Sequence, residues 1–179
     1  PRDIKEQTII SRVASCPFCP ENINPKNILD QIDAPEGKIL SIKNIFPAVT
    51  LDNKKAYGAQ EVIIETPDHK KELHDLSEAQ IEALLKMYAK RTAALSNIKN
   101  IEYILCFKNQ GSKAGASIVH AHSQIFATDI MPSDIKEELK LSRDYQLDHK
   151  TCAYCDIIKK EIKSPRKIYE DKYVAAFAP

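Results

Sequence analysis

The residues able to do chemistry concentrate in one stretch and two pairs. The stretch is Ser117-Ile118-Val119-His120-Ala121-His122-Ser123-Gln124-Ile125-Phe126; the pairs are Cys16-Pro17-Phe18-Cys19 and Cys152-Ala153-Tyr154-Cys155. Read as a strand, the stretch alternates its side chains between two faces. His120, His122 and Gln124 then share one face, and Val119, Ala121 and Ile125 turn to the core. Two imidazoles and an amide in a row make poor core filler, because each needs hydrogen-bond partners. In the preceding loop, Gly111, Ser112, Gly115 and Ser117 can bring backbone N–H groups and hydroxyls close to an anion. A loop of this kind feeding a histidine strand suggests a phosphate site. Of the five cysteines, four fall in the two pairs and Cys106 is left over. A secreted disulfide scaffold would be shorter and denser in cysteine, so tight pairs here read as metal ligands. A redox role fits less well, since no strand leads into a helix opening at either pair.

The elements that must hold these residues follow from periodicity. Lys38 to Asn44, Glu61 to Glu65, Ile101 to Phe107 and Ala116 to Ala127 read as strands. Ser77 to Leu95 reads as a helix with Ser77 as cap, Gln80 completing a capping box, and Ile81, Leu84, Leu85, Tyr88 and Leu95 as the buried stripe. Ser133 caps a last helix to about Tyr145. Residues 16–35, with Pro17, Pro20, Pro25 and Pro35, read as loop. Cys106, on an apolar strand, is expected as a small buried hydrophobe. Successive strands with separate helices give an α+β class with a mainly antiparallel sheet.

The sequence also echoes itself. Cys16-Pro17-Phe18-Cys19 precedes Phe46-Pro47 much as Cys152-Ala153-Tyr154-Cys155 precedes Phe177-Ala178-Pro179. This suggests a domain over residues 1–148 and the beginning of a duplicated, truncated unit over 149–179. The chain opens at Pro1 and stops at Pro179 directly after an apolar run, as a piece of something longer would.

Composition narrows the partners. Lys plus Arg is 26 and Asp plus Glu is 25, a difference of +1 that gives no electrostatic case for nucleic acid. No apolar run approaches the roughly 18 residues of a membrane span. With no signal peptide in view, the expected location is the cytoplasm.

His120-Ala121-His122-Ser123-Gln124 resembles the His-x-His-x-Gln signature of the galactose-1-phosphate uridylyltransferase family, a transferase branch of the histidine-triad superfamily. Cys16-Pro17-Phe18-Cys19, Asn44-Ile45-Phe46-Pro47-Ala48, Thr66-Pro67-Asp68-His69 and Asn109 to Gln124 also look like family segments, in order, so the resemblance spans nearly the whole chain. It implies a histidine-triad-like antiparallel sheet with helices. Cys152 to Glu161 and Ile168-Tyr169-Glu170-Asp171 look like the start of the family's second, similar half. By this resemblance His122 is the nucleophile, taking a nucleoside monophosphate from a nucleotide sugar as a phosphoramidate. A backbone carbonyl on its other ring nitrogen would fix the neutral tautomer. Gln124 stabilises charge on the phosphoryl oxygens. Cys16, Cys19, His69 and His120 hold a structural Zn2+, and Cys152 and Cys155 begin a second possible site. Asn44 and Phe46 lie near base and ribose; Asn109, Gly115, Ala116 and Ser117 surround the phosphates. The implied acceptor is a sugar phosphate or phosphate, and the implied assembly a homodimer.

Gln124 supports a transferase on its own chemistry. Related hydrolases carry a third histidine there, which can protonate a poor leaving group, whereas an amide donates a hydrogen bond but no proton. The leaving group must then be intrinsically good, as a sugar phosphate is. Uridylyltransferases usually show proline between the two histidines and Asn-Pro ahead of them, where this chain has Ala121 and Ile118-Val119. Asn109 to Ser117 also resembles the ADP-glucose phosphorylase branch, which passes adenylate to phosphate. Uridylyl transfer in galactose metabolism is the first reading and adenylyl transfer the second. A non-enzymatic zinc module would account for the cysteines but not for the His-x-His-x-Gln face.

Overall fold

The computed structural model describes residues 16–178, and the chain divides into two compact units, Pro1–Ile130 and Met131–Pro179. The first unit is built on a five-stranded sheet of β1 (Ile28–Ile32), β2 (Ile39–Lys43), β3 (Gly58–Ile64), β4 (Tyr103–Phe107) and β5 (His122–Thr128). Every pairing is antiparallel and the order is β1-β2-β3-β5-β4. The last strand is thus inserted between β3 and β4, and its backbone is hydrogen-bonded on both sides. A side chain on β5 inherits the rigidity of the sheet's interior.

The helix α1 (Glu78–Ser96) covers one face. Ser77 caps it, accepting the Gln80 N–H. The Gln80 side chain does not close a capping box. It is fully buried, accepts the Glu36 N–H at 3.1 Å and donates to the Glu65 carbonyl at 3.0 Å, because a buried amide must find partners where it lies. The buried stripe is Gln80, Ala83, Leu84, Met87 and Leu95, and Leu85 is 58% exposed rather than covered. These residues pack on Ile39, Ile63, Ile125 and Ala127, the helix-side positions of β2, β3 and β5. Each large side chain buried there contributes about 1.5–3 kcal/mol. One charged clamp crosses the same layer: Arg91 donates through Nε and Nη2 to both oxygens of buried Glu61, at 2.8 and 2.7 Å, and Ser41 Oγ adds a third bond at 2.8 Å.

The intervening positions of the strands face the other way. Ile42, Val62 and Ile64 meet Cys16, Phe18 and Cys19 from the segment that precedes β1, so the sheet is buried on both faces. That segment turns at Pro20–Asn22 and Pro25–Asn27, where the prolines favour short 3-10 turns. Expected to stay loop to residue 35, it instead forms β1 from Ile28, after the last of these prolines.

Three further expectations are corrected. First, β5 begins at His122, not Ala116. Gly111 and Gly115 adopt φ of 77° and 87°, and the N–H groups of Ala114 and Ala116 both turn back to the Gly111 carbonyl, so residues 111–116 form a loop. Second, Val119 consequently lies outside the strand and is 44% exposed, while Ala121 and Ile125 do enter the core. Third, Cys106 is exposed, because β4 is an edge strand; its Sγ lies 3.7 Å from Thr92 Oγ1.

The second unit holds α2 (Ser133–His149), α3 (Ala153–Glu161) and a hairpin of β6 (Lys167–Glu170) and β7 (Ala175–Phe177). Pro132, not Ser133, occupies the N-cap of α2, and the helix runs past Tyr145 to His149 before Lys150 ends it at φ 58°. Since α2 belongs to this unit, the division falls at 130/131, ahead of the 148/149 boundary read from the cysteine echo. Pro179, part of that echo, lies outside the described residues.

Candidate functional site

Two turns and the entry to β5 bring four ligand-type side chains together. The Cys16–Cys19 turn is closed by the Cys19 N–H on the Cys16 carbonyl at 3.3 Å and braced by Asn22 Nδ2 on the same oxygen at 2.8 Å. His69 follows β3 in a turn shaped by Thr66 Oγ1 and Asp68 Oδ1, which accept the N–H groups of Asp68 and Lys70. His120 stands two residues ahead of β5. The ligand atoms of Cys16, Cys19, His69 and His120 all lie within 4.8 Å of one another. Cys19 Sγ is 3.3 Å from His69 Nδ1 and 3.5 Å from His120 Nδ1, and Cys16 Sγ is 3.8 Å from His120 Nδ1.

His120 is already in the protonation state a metal ion needs, whereas the Cys19 thiol would have to lose its proton. His120 Nε2–H donates to the Thr66 carbonyl at 2.7 Å, so its Nδ1 lone pair is the one presented to the sulfurs. Burial holds the His120 imidazole below its usual pKa, in the neutral form a metal needs. Burial pushes the Cys19 thiol up to about 11, with Cys16 adding to the effect, so an arriving metal would have to displace its proton. Two buried cysteines and two imidazoles whose ligand atoms converge are a donor set of the kind that takes a divalent cation, with the thiol protons displaced on binding. The cluster can therefore hold one metal ion.

His122 points elsewhere. Its Nδ1–H donates to the His120 carbonyl at 2.8 Å, which leaves the Nε2 lone pair as the nucleophilic end. Burial lowers its pKa, and the Lys108 cation adds in the same direction against the opposing pull of the His120 carbonyl, Glu65 and Glu72. The ring is therefore neutral near pH 7. It lines a pocket of about 640 Å³, together with Gln124, Ser117, Asn44 and Phe46. Of the expected substrate residues, Asn109, Gly115 and Ala116 do not line it. Asn109 and Gly115 are exposed on the segment that runs from the end of β4 to Ser117 at the pocket, and Ala116 is half-buried. Phe46 is 86% exposed, a large apolar ring at the pocket wall available to a planar ligand.

Sequence reasoning left out several contributors. Phe18 covers the His122 imidazole, with ring centroids 5.0 Å apart; its place between Cys16 and Cys19 was the available signal. Lys108 sits behind the strand, with Nζ 2.8 Å from Glu65, 3.1 Å from Glu72 and 3.5 Å from the His122 carbonyl. Gln60 donates through Nε2 to Gln124 Oε1 at 2.7 Å, a contact set by strand register, which the sequence does not carry. In the second unit, Cys152 caps α3 and Cys155 lies in its first turn, both exposed. A helix does open at this pair, though a helix rather than a strand precedes it. Among the described residues the pair meets no third ligand. His149 stacks on Tyr145, at 4.1 Å between centroids.

Comparison with known proteins identifies the family of the chain. Residues 4–132 fit the family pattern described as galactose-1-phosphate uridyl transferase, N-terminal domain. A galactose-1-phosphate uridylyltransferase of Thermotoga maritima is 30% identical over 170 residues, covering 92% of this chain and 53% of that protein. An ADP-glucose phosphorylase of Arabidopsis thaliana is 31% identical over 160 residues, covering 80% of this chain and 46% of that protein. The crystal structure of an Arabidopsis thaliana ADP-glucose phosphorylase with bound ADP-glucose superposes with a TM-score of 0.75 at 28% identity, over 90% of this chain and 54% of that one. The chain spans about half the length of the curated relatives it matches. Since the pattern covers the sheet, the cysteine–histidine cluster and the His-x-His-x-Gln segment together, the chain belongs to the galactose-1-phosphate uridyl transferase family, through that family's N-terminal domain.

Proposed function

We propose that the protein carrying this chain moves a nucleoside monophosphate from a nucleotide sugar to an acceptor through a covalent intermediate on His122. The observation that carries the reading is the His122 ring. Its Nδ1–H is committed to the His120 carbonyl, and the ring lines the pocket beside Gln124. In the first half-reaction Nε2 attacks the α-phosphorus. An N–P bond forms, the P–O bond to the sugar phosphate breaks, and the electron pair leaves on that oxygen. In the second, an acceptor phosphate oxygen attacks the same phosphorus and the N–P bond breaks, returning the lone pair to Nε2. Gln124 supplies N–H to the phosphoryl oxygens, where charge develops. No residue need protonate the leaving group, because a sugar phosphate departs as a stable anion.

Uridylyl transfer between hexose 1-phosphates is the first choice. It is supported by the family pattern and by the Thermotoga maritima relative. Adenylyl transfer to phosphate is the second, favoured by the match to the ADP-glucose phosphorylase. We take the ion to be zinc. With Zn–S of about 2.3 Å and Zn–N of about 2.05 Å, a tetrahedral site has sulfur–nitrogen edges of about 3.5–3.6 Å. The three thiol–imidazole distances of 3.3, 3.5 and 3.8 Å bracket that value. The ion would serve structure, fixing the turns that aim His120. The second unit is read as the start of a further histidine-triad-like domain, with Cys152 and Cys155 as half of a second zinc site. Cytoplasmic location and a homodimer complete the reading.

The test is intact mass spectrometry of the full-length protein after incubation with UDP-glucose or ADP-glucose. A uridylyl or adenylyl adduct is expected, mapping to His122 and absent from His122→Ala at unchanged zinc content. An adduct retained in His122→Ala would overturn the mechanism.

A further inference from the structure

The structure assigns to Gln60 a role as the residue that sets which end of the Gln124 amide faces the substrate. A glutamine side chain has a donor end and an acceptor end of nearly equal shape. Only the donor end can stabilise phosphoryl oxygens; the reversed amide would set its own carbonyl oxygen against them. Gln124 therefore needs something to fix its direction.

That direction traces back to the main chain. The Ala48 N–H donates to Gln60 Oε1 at 2.9 Å. A backbone N–H cannot become an acceptor, so it fixes the polarity of Gln60: oxygen toward Ala48, –NH2 away. Gln60 Nε2 then donates to Gln124 Oε1 at 2.7 Å, which turns the Gln124 oxygen away from the ligand and leaves its Nε2 to the pocket. The three groups form a one-way relay from a fixed donor to a catalytic donor.

The placement follows from the sheet. Gln60 and Gln124 are on adjacent strands, with Val62 opposite Gln124 and Phe126 opposite Gln60, so the two glutamines are diagonal neighbours on one face. Gln60 does not line the pocket, so it acts through Gln124 and is a positioning residue. It also clasps the pocket loop at both ends: its carbonyl accepts the Asn44 N–H at 3.3 Å, and its side chain holds Ala48. Asn44, the first anchor, and Phe46, between the two, line the pocket. The position of the nucleotide-facing loop and the direction of the catalytic amide are thus set by the same residue.

This inference rests on the nucleotidyl-transfer reading, and its test separates the two. Single-turnover adduct formation is followed in the full-length protein and in Gln60→Glu and Gln60→Met. Glutamate has the shape of glutamine, but as a carboxylate it only accepts. It keeps the Ala48 bond and pulls the Gln124 –NH2 toward itself, reversing the catalytic amide. Methionine merely frees that amide to adopt either direction. The expected loss in the rate at saturating nucleotide sugar is on the order of 100-fold for Gln60→Glu and about 10-fold for Gln60→Met, from the scale of one misplaced donor. Apparent nucleotide-sugar affinity should change less than threefold in Gln60→Glu, which keeps the Ala48 bond, and more in Gln60→Met, which loses it. A purely structural residue would show the opposite order of rate losses, since glutamate is the closer replacement in shape. Equal rates in all three proteins, or a milder effect of Gln60→Glu than of Gln60→Met, would overturn the role. A wild-type protein that forms no adduct would instead sink the transfer reading. The pairing is then judged by thermal unfolding, where Gln60→Ala and Gln124→Ala together should lower the melting temperature by less than the sum of the two. Additive losses would refute the pairing whatever the activity.

Discussion

Lys108→Met should loosen the centre of the sheet by a predictable amount. The Lys108 ammonium is 2.8 Å from Glu65, whose side chain is fully buried, and 3.1 Å from Glu72. At an effective dielectric of about 20, one such contact is worth about 6 kcal/mol before desolvation is subtracted. Removing one partner of a buried pair leaves its counter-charge stranded, and the measured net cost is about 3–5 kcal/mol. Methionine keeps most of the volume, so little of the loss comes from a cavity. The assay is native-state amide exchange at β3 and β5, which reads local opening even in a longer protein. Since about 1.4 kcal/mol is a factor of ten, protection there should fall by about two to three and a half orders of magnitude. Glu65→Gln added to Lys108→Met should recover a large part of it, because the stranded charge is gone. A loss below about 1 kcal/mol, or no recovery in the double variant, would show that Glu65 is not held by Lys108 and would refute the reasoning.

Two further outcomes follow from the site. Cys16→Ser or His120→Ala should reduce bound zinc in elemental analysis and lower the melting temperature, because structural metal contributes folding free energy; full zinc retention by both variants would break the ligand assignment. The Gln124→His protein should transfer poorly to a sugar phosphate yet hydrolyse its nucleotidyl intermediate faster in single-turnover decay, since imidazole can donate a proton and an amide cannot; unchanged decay with unchanged transfer would remove Gln124 from the phosphoryl group.

Chemistry was more legible in the sequence than geometry. Cys16, Cys19, His69 and His120 are ligand-type residues whose convergence the family segments implied, and they do converge. His122 and Gln124 share the pocket as the two-residue alternation requires. What alternation could not show was where the strand starts. Alternation puts His120 on the same strand, but β5 begins at His122, and the two imidazoles face different groups of residues. The helix was legible and its facing less so: Ala83 and Met87 are buried while Leu85 is exposed, because hydrophobicity alone does not say which residues a sheet admits closely. Cys106 shows the same limit, since an apolar strand looks alike whether it lies inside a sheet or at its edge. Gln60 and Lys108 could not be found at all. Each acts across strands or from strand to loop, and cross-strand partners depend on a register that no local pattern encodes.

The change of direction ahead of His122 is itself informative. His120 places its proton on Nε2, toward the Thr66 carbonyl, and offers Nδ1 to the two thiols. His122 carries its proton on Nδ1, toward the His120 carbonyl, and offers Nε2 to the pocket. Two histidines separated by one alanine thus hold opposite tautomers, each fixed by a backbone oxygen rather than by another side chain. A backbone oxygen cannot rotate away or change its protonation, so both assignments are as stable as the fold around them. Residue 120 takes part in both places at once: its side chain faces the metal-type cluster and its carbonyl orients the His122 ring. An ion bound by the cluster would anchor that carbonyl through the His120 side chain. Ala121, between the two histidines in sequence, is buried and sends only a methyl group to the core, so the two rings keep their separate partners.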